Sequence, residues 1–227
     1  MTDRPPVLLS VADAGQELYS VRPKPGPIAW LVFVGLLALA FLMGWLAPAS
    51  GLVGGFAALA GAVVILVPLF GVGMLEKHRV CENALVLGLT PWPGGEPYVI
   101  PWSTVPPDSL LLHDPATRAG AGAAGQSGAR GTRMAIFSRK AVSLVGLHHD
   151  LAHPRRRQTT EFARQVLARV TPEELALRPP LVSWAMGVRK PEPLLRAIEA
   201  ALVRFRPEAA GSADHALAHP VHGPRPD

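Results

Sequence analysis

Residues 28–47, IAWLVFVGLLALAFLMGWLA, and residues 52–75, LVGGFAALAGAVVILVPLFGVGML, decide how the rest of the chain is read. Neither run holds an Asp, Glu, Lys, Arg, His, Asn or Gln. Each exceeds the roughly 18 apolar residues that mark a spanning helix, and at about 1.5 Å per residue each matches a hydrocarbon core about 30 Å thick. Only Pro48-Ala49-Ser50-Gly51 separates them. The spacing therefore predicts a tight turn and an antiparallel transmembrane helical hairpin over residues 28–75.

The flanks predict its orientation. Arg22 and Lys24 precede the first run, Lys77 and Arg79 follow the second, and the turn is uncharged. Positive charge is retained on the cytoplasmic side, and Trp30 and Trp45 sit where interfacial aromatics collect. The expectation is a two-pass protein of the bacterial inner (plasma) membrane with both termini in the cytoplasm. Ala47-Pro48-Ala49 has the form of a signal-peptide cleavage site. However, the segment before the first run carries Asp3, Asp13 and Glu17, and a second apolar run follows at once, so cleavage is not expected. Small residues recur along the second run at Gly54, Ala58 and Ala62, with Gly61 beside them. Such a stripe lets helix backbones approach closely. It is expected to pack on the first helix, with an oligomer or partner contact as the alternative. Without polar groups the hairpin reads as an anchor and not as a conduit.

Composition agrees with that division. The chain is 49% hydrophobic and 17% charged, leaner in charge than an ordinary globular domain. Three basic and three acidic residues before position 76 cancel, so the whole surplus of +5 lies in residues 76–227. That surplus suits a domain beside a membrane, or contact with an anionic surface. Nucleic acid is not expected, because no helix-turn-helix or RNA-recognition signature is present. The single cysteine, Cys81, excludes an intrachain disulfide and reads as a small buried residue. Basic residues are mostly Arg, and Ala, Gly and Pro abound, a composition resembling that of GC-rich bacteria such as actinobacteria.

Behind the N-terminal segment (1–27) and the hairpin (28–47 and 52–75), residues 76–206 read as one α+β domain. Strand signals lie at Val80 and Leu85–Leu87, at Tyr98–Ile100 and at Leu110–Leu112, with the turn-rich Pro91–Gly95 between the first two. Residues 115–132, PATRAGAGAAGQSGARGT, are low-complexity and predict a flexible loop without a phosphate-binding spacing. Strand signals resume at Met134–Phe137, Ala141–Leu147 and Leu181–Val188. Phe162, Val166 and Val170 form one helical stripe, and Thr171-Pro172-Glu173-Glu174 is a helix start. A helix opens at Pro191-Glu192 and runs to about Arg206, with Leu195, Ile198, Leu202 and Phe205 on one face. Residues 207–227 read as a disordered tail.

Three short pieces carry a family resemblance: Val80-Cys-Glu-Asn-Ala-Leu-Val-Leu-Gly88, Val99-Ile-Pro-Trp-Ser-Thr-Val105, and the stretch from Gly187 through Pro191-Glu192 to Leu202. Together with the two apolar runs, they resemble bacterial, actinobacterial-type two-span membrane proteins with a PH-like domain. The resemblance covers roughly residues 28–206. It implies a small PH-like β-barrel or sheet closed by a C-terminal helix, acting as an interaction module and not as an enzyme. It carries over no ligand. The Gly/Ala-rich loop and the helical character of residues 158–178 depart from the family pattern.

Candidate site residues are few. His148, His149, Asp150 and His153 cluster in sequence, and His149 and His153 have the i, i+4 spacing of two ligands on one helix face. There is no HExxH, and Pro154 breaks a helix just after them. The stretch therefore reads as a solvated loop, with a metal site as the sharper alternative. Arg155-Arg156-Arg157, with Lys77 and Arg79, are candidates for contact with lipid head groups or an acidic partner. No Ser-His-Asp, Cys-His or paired-carboxylate arrangement has catalytic spacing, and no cofactor is expected. The expected function is a non-enzymatic, membrane-anchored interaction module that binds a protein partner or an anionic membrane surface. The alternatives are an accessory subunit of a larger membrane complex packing through its hairpin and, more distantly, a metal-dependent enzyme.

Overall fold

The computed structural model describes residues 7–22, 27–47, 51–74, 76–89, 96–114, 130–131 and 140–221. The expected turn at 48–50, most of the loop 115–132, the strand signals at 134–137 and the last six residues of the tail lie outside the described residues.

Two four-stranded sheets form the body. Strands β1 (Glu17–Val21), β2 (Glu76–Cys81), β3 (Ala84–Leu89) and β4 (Tyr98–Pro101) make an antiparallel meander in the order β1-β2-β3-β4. The second sheet has the order β5-β7-β8-β6, built from β5 (Leu111–His113), β6 (Arg130–Gly131), β7 (Lys140–Leu147) and β8 (Leu181–Val188). Its spine is the antiparallel β7–β8 pair, in register from Lys140↔Val188 to Leu147↔Leu181. The two-residue β6 runs parallel to β8.

The strand sequences explain the layering. Leu85 and Leu87 of β3 and Ile100 of β4 join Leu144, Trp184 and Met186 of the second sheet in the main core. Ala84, Val86 and Val99 instead meet Leu9, Ala14 and Cys81 in a second cluster. The first sheet is thus buried on both faces, which is why Ala84–Leu89 is a near-continuous apolar run and not an alternating one. Each buried indole finds a carbonyl, as burying its N–H demands. Trp102 donates to Cys81 (2.9 Å) and Trp184 to Leu147 (3.1 Å). Gly146 permits the close approach of the sheets. A Cβ there would stand 2.6 Å from Ile100 Cγ2.

Between the adjacent strands β1 and β2 the chain makes a helical hairpin of α1 (Pro27–Trp45) and α2 (Gly51–Met74). The salt bridge of Lys77 to Glu17, 2.8 Å, closes its base. The two helices pack on each other at their small residues. A Cβ on Gly44 would collide with the Gly54 carbonyl and stand 2.7 Å from Ala58 Cβ, and one on Gly55 would stand 3.0 Å from the Phe41 ring. Phe41 and Phe56 meet edge to face at 5.4 Å. Of the expected packing stripe, Gly54, Ala58 and Ala62 are half-buried, whereas Gly61 is exposed with nothing near its Cβ position.

The fold expectation is corrected in two respects. Among the described residues no helix is long and apolar enough to cross a membrane. The expected transmembrane hairpin, and with it the two-pass placement in the bacterial inner (plasma) membrane with cytoplasmic termini, does not stand on this structure. Second, hydrogen bonds among the described residues define two separate four-stranded sheets and not one small PH-like barrel or sheet closed by a C-terminal helix. The architecture is α+β, with two sheets and eight helices among the described residues.

The remaining helices follow their sequence signals. Thr171 accepts from the Glu174 amide while the Glu174 carboxylate accepts from the Thr171 amide, a complete capping box opening α6 (Pro172–Leu177). Helix α7 (Pro191–Val203) buries Leu194, Leu195, Ile198, Ala201 and Leu202. Residues 207–221, expected as part of a disordered tail, are folded against the body. The Glu199 carboxylate accepts from the Gly211 and Ala213 amides (3.0 and 2.6 Å), opening a further helix, α8 (Ser212–Ala218). Val221 then exchanges backbone hydrogen bonds with Leu112 and Asp114 beside β5.

Candidate functional site

The chemistry-bearing residues gather where β7 ends. The His148 amide donates to the Pro180 carbonyl (2.8 Å), which fixes the start of the corner. His148 is extended, and its Nδ1 accepts a long bond, 3.3 Å, from the Asp150 amide. A four-residue helix, α3 (His149–Ala152), follows. Pro154 opens α4 (Pro154–Thr159), and a residue before proline is pushed out of the helical region. His153 accordingly has φ −109° and ψ 117°.

That break decides the metal question posed by the sequence. The i, i+4 pair His149/His153 does not share a helix face. His153 turns to Tyr98, ring to ring at 5.0 Å, and to Glu96, with Nδ1 3.9 Å from the carboxylate. Burial lowers the pKa of His153, and the Glu96 charge partly opposes that shift. His148, His149 and Asp150 converge instead, with one donor atom of each within 4.8 Å of the others. The two imidazoles lie 4.1 Å apart, and His149 Nε2 is 3.5 Å from Asp150 Oδ1. His148 also stacks on Phe162, at 4.1 Å, on α5 (Glu161–Arg169).

The arginine run is divided among separate tasks. Arg156 pairs with the buried Asp150 at 3.0 Å. Arg157 donates to the Leu151 carbonyl and, at 2.8 Å, to the Leu9 carbonyl, tying the N-terminal segment to this corner. Its burial lowers its pKa, against the attraction of Asp13. The Arg155 amide donates to Glu96 (3.1 Å). Lys77 is engaged by Glu17, whose pKa that hydrogen bond lowers first. Arg79 is half-buried on β2. Lys77, Arg156 and Arg157 are thus each engaged within the fold.

Two features had no signal in the sequence. His78 on β2 is fully buried, and burial holds its pKa down at about 4. Its ring faces the Gly187 carbonyl on β8, across the seam between the sheets, without closing a well-formed hydrogen bond. His113 Nε2 lies 2.7 Å from Ser143 Oγ, one strand across. Alternation along β2 placed His78 on the core face, but a histidine in a charged run (Glu-Lys-His-Arg) gives no hint of burial. The Ser–His pair depends on β5–β7 register, which only the assembled sheet sets. Comparison of the chain with protein-family models, with curated proteins and with solved structures gives no match.

Proposed function

We propose that this chain is a non-enzymatic interaction module that joins a larger protein assembly by packing its helical hairpin against apolar helices of a partner. The observation that carries the proposal is the hairpin surface. After α1 and α2 have buried their small residues in each other, large side chains still face outward on both helices. Leu31 is 72%, Val53 79% and Val64 71% exposed, in company with Trp30, Phe56 and Ile65. Contiguous apolar surface on this scale marks an interaction site. The lack of charge on the hairpin favours a partner of equally apolar chemistry, since burial against charged or polar groups would leave them unsatisfied.

Two further observations support it. Of the arginines that would serve a head-group site, Arg156 is occupied by Asp150 and Arg157 by backbone carbonyls, which favours a protein partner over an anionic surface. The Ser143 hydroxyl is buried in the sheet, so the Ser–His pair gives a substrate no access to a nucleophile. Affinity purification of the full chain in mild detergent, followed by mass spectrometry and native mass measurement, tests the proposal. A stoichiometric partner lost on replacing Leu31, Val53 and Val64 by Ser is expected. Quantitative flotation of the purified chain with protein-free liposomes, with no partner retained, would assign the hairpin's cover to acyl chains and overturn it.

A further inference from the structure

We propose that His148, His149 and Asp150 form a site for a divalent transition-metal ion of the zinc type, which staples the end of β7 to the start of α3. The donor set is two imidazoles and a carboxylate, the borderline set that suits zinc over magnesium or calcium. All three donors lie within 4.8 Å of one another, and the His149 Nε2–Asp150 Oδ1 edge is 3.5 Å. Ligands about 2.1 Å from a tetrahedral zinc ion stand about 3.4 Å apart, so one edge already has the required span and the others need to close by at most about 1.4 Å. The Asp150 amide donates a long bond to His148 Nδ1 (3.3 Å), which keeps the ring beside the turn that holds the other two donors. His149 and Asp150 are both buried, and the Pro180 carbonyl and Phe162 ring hold His148 in place. A carboxylate and two imidazoles held this way form a preorganised set and not a solvated cluster.

Arg156 supplies the discriminating feature. Its guanidinium lies 3.0 Å from Asp150 Oδ1, where it orients the carboxylate but also repels a dication. Removing it should therefore strengthen metal binding while weakening the corner without metal. A purely structural role for the cluster would give no such gain.

The test titrates zinc chloride into the chelator-treated full chain by calorimetry, with cobalt as a spectroscopic probe of coordination. One ion per chain is expected. Loss of an outer partner of a metal ligand costs about 10–100-fold in affinity, so removal of two ligands in His148→Ala/His149→Ala should cost about 100-fold or more. Arg156→Gln, which leaves all three donors in place, should bind zinc about tenfold more tightly, because one positive charge beside the ion is gone. His215 on α8 and His219 just past its end, their rings 4.7 Å apart, are the competing pair. Their double replacement by Ala should leave the affinity unchanged. Zinc binding that survives His148→Ala/His149→Ala, that disappears with His215→Ala/His219→Ala, or that Arg156→Gln fails to tighten would overturn the proposal.

Discussion

Acidification should destabilise this chain through His78, and the size of the effect follows from the structure. His78 lies between the sheets, fully buried, with its pKa pushed down to about 4 from an ordinary value of 6.5. The unfolded chain takes up a proton near pH 6.5 while the folded chain refuses it until about pH 4. Stability from this residue is therefore fully present above pH 6.5 and falls as pH drops toward 4, below which it levels off. A gap of about 2.5 pH units at about 1.36 kcal/mol each gives about 3 kcal/mol, of which about 2 kcal/mol has gone by pH 4.5. That is a large part of a stability of about 5–15 kcal/mol. The assay is urea unfolding at pH 7 and pH 4.5, on the native chain and on His78→Leu. Carboxylates elsewhere contribute to both, so the difference between the two chains isolates His78. Leu fills the same apolar space and cannot be protonated, so the variant should lose about 2 kcal/mol less on acidification. Equal acid sensitivity of the two chains would refute the reasoning, and with it the buried, neutral state of the ring.

Two further outcomes are expected. Gly44→Val should force α1 from α2, because the Gly54 carbonyl and Ala58 occupy the space its side chain needs. Overpacking of this kind costs about 1–3 kcal/mol, read as lost cross-linking between cysteines placed at positions 41 and 55. Gly61→Ala, facing open space, should leave that cross-link intact. Glu199→Ala should release α8 by removing the acceptor of the Gly211 and Ala213 amides. Charge-assisted bonds contribute about 1.5–3 kcal/mol when well formed. Residues 207–221 should then become the first site of limited proteolysis while the β7–β8 amides keep their hydrogen-exchange protection.

Local signals in the sequence were legible where one element is enough to decide the outcome. The helix start at Thr171, the strand Leu181–Val188 and the apolar face of the helix from Pro191 depend on spacing and backbone chemistry within a few residues, and each stands in the structure. The His149/His153 pair failed for a reason also written locally. Pro154 forces His153 extended, so four residues of separation no longer mean one face. The Arg155–Arg157 run looked like one basic patch, but on the short helix Arg156 and Arg157 found separate partners.

By itself the sequence determined that two wholly apolar helices precede an α+β body rich in short strands, because hydrophobic length and periodicity are properties of the chain alone. Only the tertiary structure decided that Glu17–Val21 is a strand paired across the hairpin with β2, that the tail folds back onto Glu199 and β5, and that His148, His149 and Asp150 meet while His153 turns away. Each of these rests on contacts between residues far apart in sequence or on the direction a side chain takes after a backbone break. The energy of such contacts exists only once the sheets have assembled, and no window of neighbouring residues contains it.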